Sequence, residues 1–189
     1  MSSAIELRYQ NGIADADLER LRAGDSVELT GLVLSLRDAS AARLAASVQA
    51  GQRLPVSLEN QILYAVGPSP AKPGQVIGSA GPTTTSRMGR FLPALFEAGV
   101  RAIIGKGELH REEMAPFLSH KGVYFGAVGG LGALLANQIA SARVVAYDDL
   151  GPEALYALDI VAFPVVVIID RQGVNFHEIA RSRWRRADR

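Results

Sequence analysis

Residues Gly81-Pro-Thr-Thr-Thr-Ser-Arg-Met88 decide how the rest of the chain is interpreted. An apolar run, Gln75 to Ala80, precedes them and is predicted to be a strand. The run that follows, Arg87 to Ala98, has apolar side chains at helical spacing, which predicts a helix. We therefore predict a strand-to-helix turn with hydroxyl groups and Arg87 in the first helical turn. Unpaired N–H groups and the positive end of the helix dipole make such a turn a candidate site for a carboxylate or phosphate.

Strands and helices are predicted to alternate from Gln75 onward. The predicted strands are 75–80, 101–105, 122–127, 143–147 and 165–169, and the predicted helices are 86–98, 108–119, 130–140 and 152–158. Alternation of this kind predicts an α/β fold with a parallel sheet covered by helices. Because sites in such folds lie at the carboxyl ends of strands, we expect residues 81–87, 105–107 and 126–132 to converge.

The N-terminal part of the chain supplies further elements. Its predicted strands are 5–9, 26–37 with a bend or bulge at Gly31, and 61–66, its predicted helices are 15–22 and 39–50, and a proline-rich loop covers 67–74. Arg37 and Asp38 lie where an apolar strand meets a helix. This charged pair indicates either the edge of a pocket or a local ion pair that caps the helix, and taken alone it favours the ion pair.

Composition restricts the classes of function. With 189 residues, 48% of them hydrophobic and 21% charged, residues 1–189 are predicted to form a single soluble domain. A net charge of +1 provides no basic field for nucleic acid, and the arginine run from 181 to 186 fits a solvated tail, so 171–189 is predicted to be a polar basic tail. No uninterrupted apolar run of about 18 residues and no N-terminal targeting pattern is present, so no membrane is expected and the cytoplasm is the expected location.

The chain contains no cysteine. It therefore cannot form a disulfide, hold zinc through thiolates or ligate an iron–sulfur cluster through its own sulfur atoms. His110, His120 and His177 show no metal-ligand spacing, so no metal site is predicted within this chain.

Two glycine-rich strand ends allow different interpretations. Lys106 lies between two glycines after an apolar run, where its ammonium group can reach a crevice, although an ordinary surface lysine fits the motif equally well. The stretch 126–132 allows a dinucleotide site with Asp148 or Asp149 as the ribose acid, but it lacks the third glycine at the expected spacing. A nucleotide-binding α/β module therefore stays a minor alternative.

Taken together, these motifs resemble the β subunit, or C-terminal domain, of the class I (iron–sulfur) fumarase and L(+)-tartrate dehydratase family. The resemblance covers roughly residues 20–170 and rests on the glycine and charge motifs at 24–25, 31, 37–38, 81–88, 106–107, 126–130, 146–151 and 163–164. It implies the swivelling β/β/α fold, a central mixed sheet with mostly parallel strands flanked by helices. It also implies a cysteine-containing α subunit that holds a [4Fe-4S] cluster, so that this chain completes the site in a heteromer.

The resemblance further implies a hydro-lyase that adds water to, or removes it from, a C4 dicarboxylate, either fumarate/malate or L-tartrate. Arg37 and Arg87 would bind substrate carboxylates through two-pronged contacts, with Gly81 and Thr84 as further binding residues. Lys106 would stabilise the charge that develops as a proton leaves. Thr83 matches the family threonine that serves as base or proton relay together with an acid of the partner.

Three positions depart from the family pattern. Ala41 stands where a histidine is common, Glu108 replaces an asparagine, and Leu131 replaces a proline. These departures leave open a divergent, non-catalytic relative that binds an anion or a partner.

Overall fold

The computed structural model describes residues 3–10 and 12–185. Its strands are β1 (Ile5–Arg8), β2 (Ser26–Leu36), β3 (Ile62–Ala65), β4 (Ala102–Gly105), β5 (Val123–Gly126), β6 (Ile139–Ala146) and β7 (Leu155–Ile169). Its α-helices are α1 (Asp15–Glu19), α2 (Asp38–Gln49), α3 (Leu92–Glu97), α4 (Arg111–Ser119), α5 (Gly132–Ala136) and α6 (Phe176–Trp184). Two 3₁₀ helices cover Thr85–Phe91 and Asp148–Glu153.

The strands form one mixed sheet in the order β1-β2-β3-β4-β5-β7-β6. Neighbours from β1 to β5 are parallel, whereas β7 runs antiparallel to β5, β6 and β2. The additional β2–β7 pairing closes β2, β3, β4, β5 and β7 into a five-stranded barrel. This confirms an α/β fold with a mixed, mostly parallel sheet flanked by helices, and the closure is a feature that the sequence did not predict.

Two apolar layers lie on the two faces of the closed sheet. Successive residues of β3 alternate between them, because side chains of a strand point to opposite faces. Tyr64 points into the barrel, where its ring meets Phe163 of β7 at 5.2 Å between centroids. Leu63 belongs to the outer layer together with Leu44 of α2 and Phe96 of α3. The interior layer therefore fixes the barrel, and the outer layer attaches the larger helices to it.

Several predicted elements are confirmed with small changes at their ends. These are the strands near 5–9, 26–37, 61–66, 101–105 and 122–127 and the helices near 15–22, 39–50 and 108–119. At Gly31 the register between β2 and β7 shifts, as the predicted bulge requires. Its φ of +155° is a conformation that residues with a side chain rarely adopt. Tyr9 also occupies the space that a Cβ atom would need.

The predicted strand 75–80 is wrong, because these residues form an irregular loop. Their backbone groups bond elsewhere: Ser69 N–H donates to the carbonyl of Ser79, and Ala80 N–H donates to that of Gly132, each at 3.0 Å. β3 already has β2 and β4 on its two sides, so the ladder has no place for another strand beside it. The turn at Gly81 therefore follows a loop and not a strand.

The regular alternation is also wrong beyond β5. The predicted helix 152–158 is a 3₁₀ helix that leads into β7, and the predicted strand 165–169 is only the end of that 15-residue strand. The strand predicted at 143–147 is part of β6, which starts at Ile139 and shortens the helix predicted at 130–140 to α5. β7 contains Val161, Val165 and several further β-branched residues, and its pairing on both edges outweighs the local helix signals.

The last described residues form α6, within the region predicted to be a polar basic tail. Asn175 caps this helix by accepting a hydrogen bond from His177 N–H at 2.9 Å. Arg181 pairs with Glu108 after β4 at 2.6 Å. The rest of the predicted arginine run, from residue 186, lies outside the described residues. Among the helices that the structure describes, none is long and apolar enough to cross a membrane.

Candidate functional site at the carboxyl rim of the barrel

The candidate site lies at the barrel end that the carboxyl ends of β2, β3, β4 and β5 share, which we call the carboxyl rim. Parallel pairing brings the residues that follow these strands to the same end. The turn at Gly81 crosses this end through two isolated bridges, one between Pro82 and Val66 and one between Thr84 and Lys106. Thr83 N–H also donates to the carbonyl of Ala65 at 2.7 Å. The turn is thus attached to the ends of β3 and β4.

Arg37 and Arg87 converge on one carboxylate. Arg87 Nη2 lies 3.0 Å from Asp38 Oδ2, and Arg37 Nε lies 3.8 Å from the same oxygen. The Arg37 and Asp38 side chains are about one-third exposed, at 30% and 33%, and that of Arg87 is 53% exposed. The Arg37–Asp38 pair is therefore more than a local cap, because Asp38 connects the end of β2 to the turn.

Glu153 is a second acid at this position, and sequence reasoning missed it. Its Oε1 lies 3.5 Å from Arg37 Nε, and its Oε2 accepts a hydrogen bond from Ala39 N–H at 2.9 Å. The Arg37 Nε atom is buried and has no partner within hydrogen-bonding geometry among the described residues. No local signal indicated Glu153, since residues 152–158 were predicted to be a helix separate from the site.

Lys106 lies on the neighbouring strand end. Its Nζ donates to Thr84 Oγ1 at 3.3 Å, and its backbone N–H donates to the Thr83 carbonyl at 3.3 Å. The Thr83 hydroxyl has no hydrogen-bond partner among residues 3–10 and 12–185, so it is available to a ligand. The structure therefore brings Lys106, Thr83 and Thr84 together, with Gly81 two residues before Thr83.

Gly81 is required by a close approach of two chain segments. A Cβ atom on Gly81 would lie 3.3 Å from the Cα atom of Gly132, and a Cβ atom on Gly132 would lie 2.8 Å from the backbone nitrogen of Gly81. The predicted convergence of the turn with the glycine-rich stretch is thus confirmed. The two glycines allow the backbones to pack directly on each other.

The anion cradle predicted at a helix N-terminus is wrong in one respect. The N–H groups of Thr83 and Thr85 donate to the carbonyls of Ala65 and Lys106, so they are not free for a ligand. The segment continues as a 3₁₀ helix, and the α-helix begins only at Leu92. Side chains, and not these two backbone N–H groups, are therefore the candidate ligand-binding groups of this turn.

Two cavities open beside these residues. One of about 450 Å³ is lined by Arg87, Arg90 and Glu113, and the other, of about 340 Å³, is lined by Lys106, Gly129 and His177. Neither contains both Arg87 and Lys106. The described chain thus places the cations around the rim without enclosing them in one cavity.

A buried tyrosine stabilises the turn and the glycine that follows Lys106. The Tyr124 hydroxyl lies 3.1 Å from Thr85 Oγ1 and donates to the Gly107 carbonyl at 3.0 Å. Thr85 is fully buried, so this network joins the turn to the glycine after Lys106 in a place without water. Burial raises the pKa of Tyr124 to about 12, so the hydroxyl stays protonated well above neutral pH.

We expect the free energy of unfolding to fall as pH rises from about 10 to about 12. In this interval the unfolded chain has lost the Tyr124 proton while the folded chain retains it, so the folded state binds more protons and loses stability with rising pH. Tyr124→Phe should reduce this slope without abolishing it, because burial also raises the pKa of Tyr9 and Tyr64. Urea unfolding measured from about pH 8 to about pH 11 tests this. Equal slopes for the two proteins would contradict it.

We expect Gly105→Ala to destabilise the fold by about 2–4 kcal/mol, because its new methyl group would overlap the buried Thr85 Oγ1 atom. Gly130→Ala is the matched control at the same rim. It meets no atom within 4 Å and introduces only the strain of a φ of +85°, about 1–2 kcal/mol. Urea denaturation compares the two variants. A Gly105→Ala variant no less stable than Gly130→Ala would show that Thr85 moves aside freely.

The structure weakens the dinucleotide interpretation of residues 126–132. That motif requires a parallel strand after its helix, but β6 pairs antiparallel with β7 and not with β5. Asp149, one of the two candidate ribose acids, accepts from Arg43 Nη1 at 2.7 Å. The glycines of this stretch instead allow its backbone to pack closely against Gly81 and Lys106.

The residues at the rim do not fit a metal or cluster held by this chain. The sequence has no cysteine, and the part of the chain that the structure describes has no group of three or more His, Asp or Glu residues that could hold a metal ion. Guanidinium, ammonium and hydroxyl groups instead suit carboxylates.

Comparison with known proteins supplies the family context. Residues 2–180 match the family described as "Fumarase C-terminus". The chain is 33% identical to the putative L(+)-tartrate dehydratase subunit beta of Methanocaldococcus jannaschii, over 89% of either chain. It is 32% identical to the anaerobic class I fumarate hydratase of Escherichia coli, over 86% of this chain but 30% of that protein. The mitochondrial fumarate hydratase 1 of Leishmania major is also 32% identical, over 80% of this chain and 28% of its own length. The chain thus spans less than a third of these two fumarate hydratases.

Proposed function

The chain belongs to the fumarase C-terminus family, and on that premise we propose that it is the β subunit of a two-subunit hydro-lyase. The enzyme would reversibly hydrate or dehydrate a C4 dicarboxylate, fumarate/malate or L-tartrate. A cysteine-containing α subunit would hold a [4Fe-4S] cluster. The β subunit would provide the cations and hydroxyl groups that bind and orient the substrate.

The observation that supports this proposal is the convergence of Arg37 and Arg87 on Asp38 Oδ2. Two guanidinium groups, one at the end of β2 and one in the 3₁₀ helix after the Gly81 turn, lie close enough to contact one carboxylate. A substrate carboxylate could replace Asp38 on one of them or bind beside it, because guanidinium groups accommodate carboxylates through paired N–H donors. Glu153 would hold Arg37 in place while the substrate exchanges.

Lys106 and Thr83 would act on the reacting part of the substrate. Removing a proton beside a carboxylate places negative charge on that carboxylate, and the Lys106 ammonium group would stabilise it. The unpartnered Thr83 hydroxyl would pass the proton to an acid of the partner subunit, since a hydroxyl alone is too weak a base. Thr84 holds the Lys106 ammonium group in position through its hydrogen bond at 3.3 Å.

The cluster itself would belong to the partner, because this chain has no cysteine to ligate it. When bound, it would supply a Lewis acid for the hydroxyl group that leaves. The chain described here would hold the dicarboxylate and move the proton.

The decisive experiment is anaerobic reconstitution of this chain with the cysteine-containing hydro-lyase subunit of the same organism, iron and sulfide. Malate, fumarate and both tartrate enantiomers serve as substrates. We expect turnover of one of these acids by the complex and by neither subunit alone. A stable, cluster-loaded complex that turns over none of them would refute the proposed activity.

A second candidate is a non-catalytic relative that binds an anion or a partner. Ala41, at the position where a histidine is common in the family, is fully buried in the layer beneath α2. Asp38 and Glu153 also partly neutralise the arginines within the chain. In that case the complex should bind fumarate or tartrate, measured by calorimetry, without converting it.

A further inference from the structure

An exposed apolar segment borders the candidate site. Residues 127–136 read Ala-Val-Gly-Gly-Leu-Gly-Ala-Leu-Leu-Ala and contain no polar side chain. Val128 and Leu134 are each 61% exposed and Leu131 is 40% exposed, whereas Leu135, at 3%, anchors the segment in the core. Three exposed large apolar side chains within seven residues of chain are more typical of a binding surface than of a surface that stays in solvent.

Val76, from a second part of the chain, lies beside α5 of the same segment. It is 50% exposed and lines a cavity of about 450 Å³ together with Ala133 and Ala136 of α5. We call Val76, Val128, Leu131 and Leu134 the apolar rim surface. Other exposed large apolar residues of the described chain lie on other elements; they are Leu118, Val144, Val161, Val174 and Trp184.

The apolar rim surface begins where the candidate site ends. A Cβ atom on Gly129 would lie 3.3 Å from Lys106 Cδ, so the lysine stem passes directly beside this segment. The carbonyl of Gly132 accepts the hydrogen bond from Ala80 N–H at 3.0 Å, next to Gly81. A macromolecule that reaches Lys106 and Gly81 from solvent would therefore also contact this surface.

We propose that the apolar rim surface is the docking face for the cysteine-containing α subunit, an inference that rests on the function proposed above. The proposed site needs a partner over the carboxyl rim, and this surface is continuous with that rim. In the E. coli relative the matched part is only 30% of the protein, so in that protein the matched domain is joined to a much longer stretch of chain. The centre of a stable interface is apolar and poor in charge, as this surface is.

A second copy of this chain fits the surface less well. Pairing two copies through it would bring the Lys106 side chains of both copies, each of which passes beside Gly129, toward the same interface. Like charges that face each other oppose association. A partner that covers these cations with substrate and acidic groups meets no such repulsion.

Leu134→Arg tests the proposal in the full-length chain, with Leu118→Arg as the matched control. Leu118 is 50% exposed and lies near the C-terminal end of α4, and Leu134 is 61% exposed and lies in the middle of α5, so both substitutions place an arginine at an exposed position of a short helix. Both variants should fold normally by circular dichroism. Val128→Arg repeats the test outside a helix.

Binding to the tagged α subunit is measured by calorimetry, self-association by analytical ultracentrifugation, and turnover in the reconstituted complex. We expect Leu134→Arg and Val128→Arg to weaken binding by about tenfold or more, whereas Leu118→Arg leaves it unchanged. Binding of Leu134→Arg and Val128→Arg at the wild-type affinity would overturn the docking face but not the proposed function. The docking face would also be overturned by a wild-type chain that does not bind the α subunit or that dimerises through Leu134. Selective loss of binding with an inactive wild-type complex would support the docking face and refute the activity.

Discussion

Replacing Lys106 with methionine should lower kcat of the reconstituted complex by about 100- to 1,000-fold, the usual effect of removing one group that stabilises developing negative charge. Methionine keeps the length and the apolar stem that packs against Gly129, so the barrel should remain intact. The loss should appear in kcat and in kcat/KM alike if the ammonium group acts mainly in the transition state. Steady-state kinetics with the substrate identified by reconstitution measures it.

The control for Lys106→Met is Lys121→Met. Lys121 precedes β5 and lies at the opposite end of the barrel, so its loss removes the same charge far from the site. Lys106→Arg keeps the charge but changes its shape and should recover only part of the activity. Turnover of Lys106→Met within about twofold of the wild type would remove Lys106 from the proposed mechanism.

Arg87→Ala should lower kcat/KM by roughly 100-fold or more, because a bound substrate carboxylate would lose its charged partner. Arg87→Lys should restore little of this, since an ammonium group cannot form the two-pronged contact of a guanidinium group. The side chain is 53% exposed and its pair with Asp38 lies near the surface, so the free energy of unfolding should change by less than about 1 kcal/mol. A kinetic loss without unfolding is therefore the expected result.

Arg90→Ala is the matched control for this experiment. Arg90 follows Arg87 by three residues and carries the same charge. Its guanidinium carbon lies 4.6 Å from the centroid of the Phe91 ring, whereas Arg87 pairs with Asp38. We expect near-normal kinetics from Arg90→Ala. Equal losses for the two arginines would indicate a general effect of positive charge and would contradict a specific role for Arg87.

The strands of the fold up to β5 could be predicted, apart from the false strand at 75–80, because their signals are local. The apolar runs that become β2, β3, β4 and β5 are short and are separated by turns or amphipathic helices. The part of the fold after β5 could not, because the same residue types serve different elements there. Pro152 and the alanines and leucines after it favour a helix locally, but antiparallel pairing of β7 with β2 and β6 satisfies the backbone of residues 155–169 as a strand.

The site was predictable to a similar extent. Adjacent motifs identified Arg37, Thr83, Thr84, Arg87 and Lys106 as residues at strand ends, and parallel pairing does bring them to one rim. The partners of these residues were not predictable. Glu153 is 116 positions from Arg37, and no local pattern connects two residues so far apart.

The sequence by itself determined the family, the apolar runs that form β2 to β5, the absence of cysteine ligands and the motifs that carry the cations. These features depend on short-range periodicity, residue chemistry and motif order. Only the tertiary structure decided the rest. It closed the barrel through β7, turned the predicted strand before Gly81 into a loop, placed Asp38 between two arginines, and left Val128, Leu131 and Leu134 exposed on the segment that passes Lys106. Each of these outcomes depends on contacts between distant segments, whose free energies outweigh local propensity.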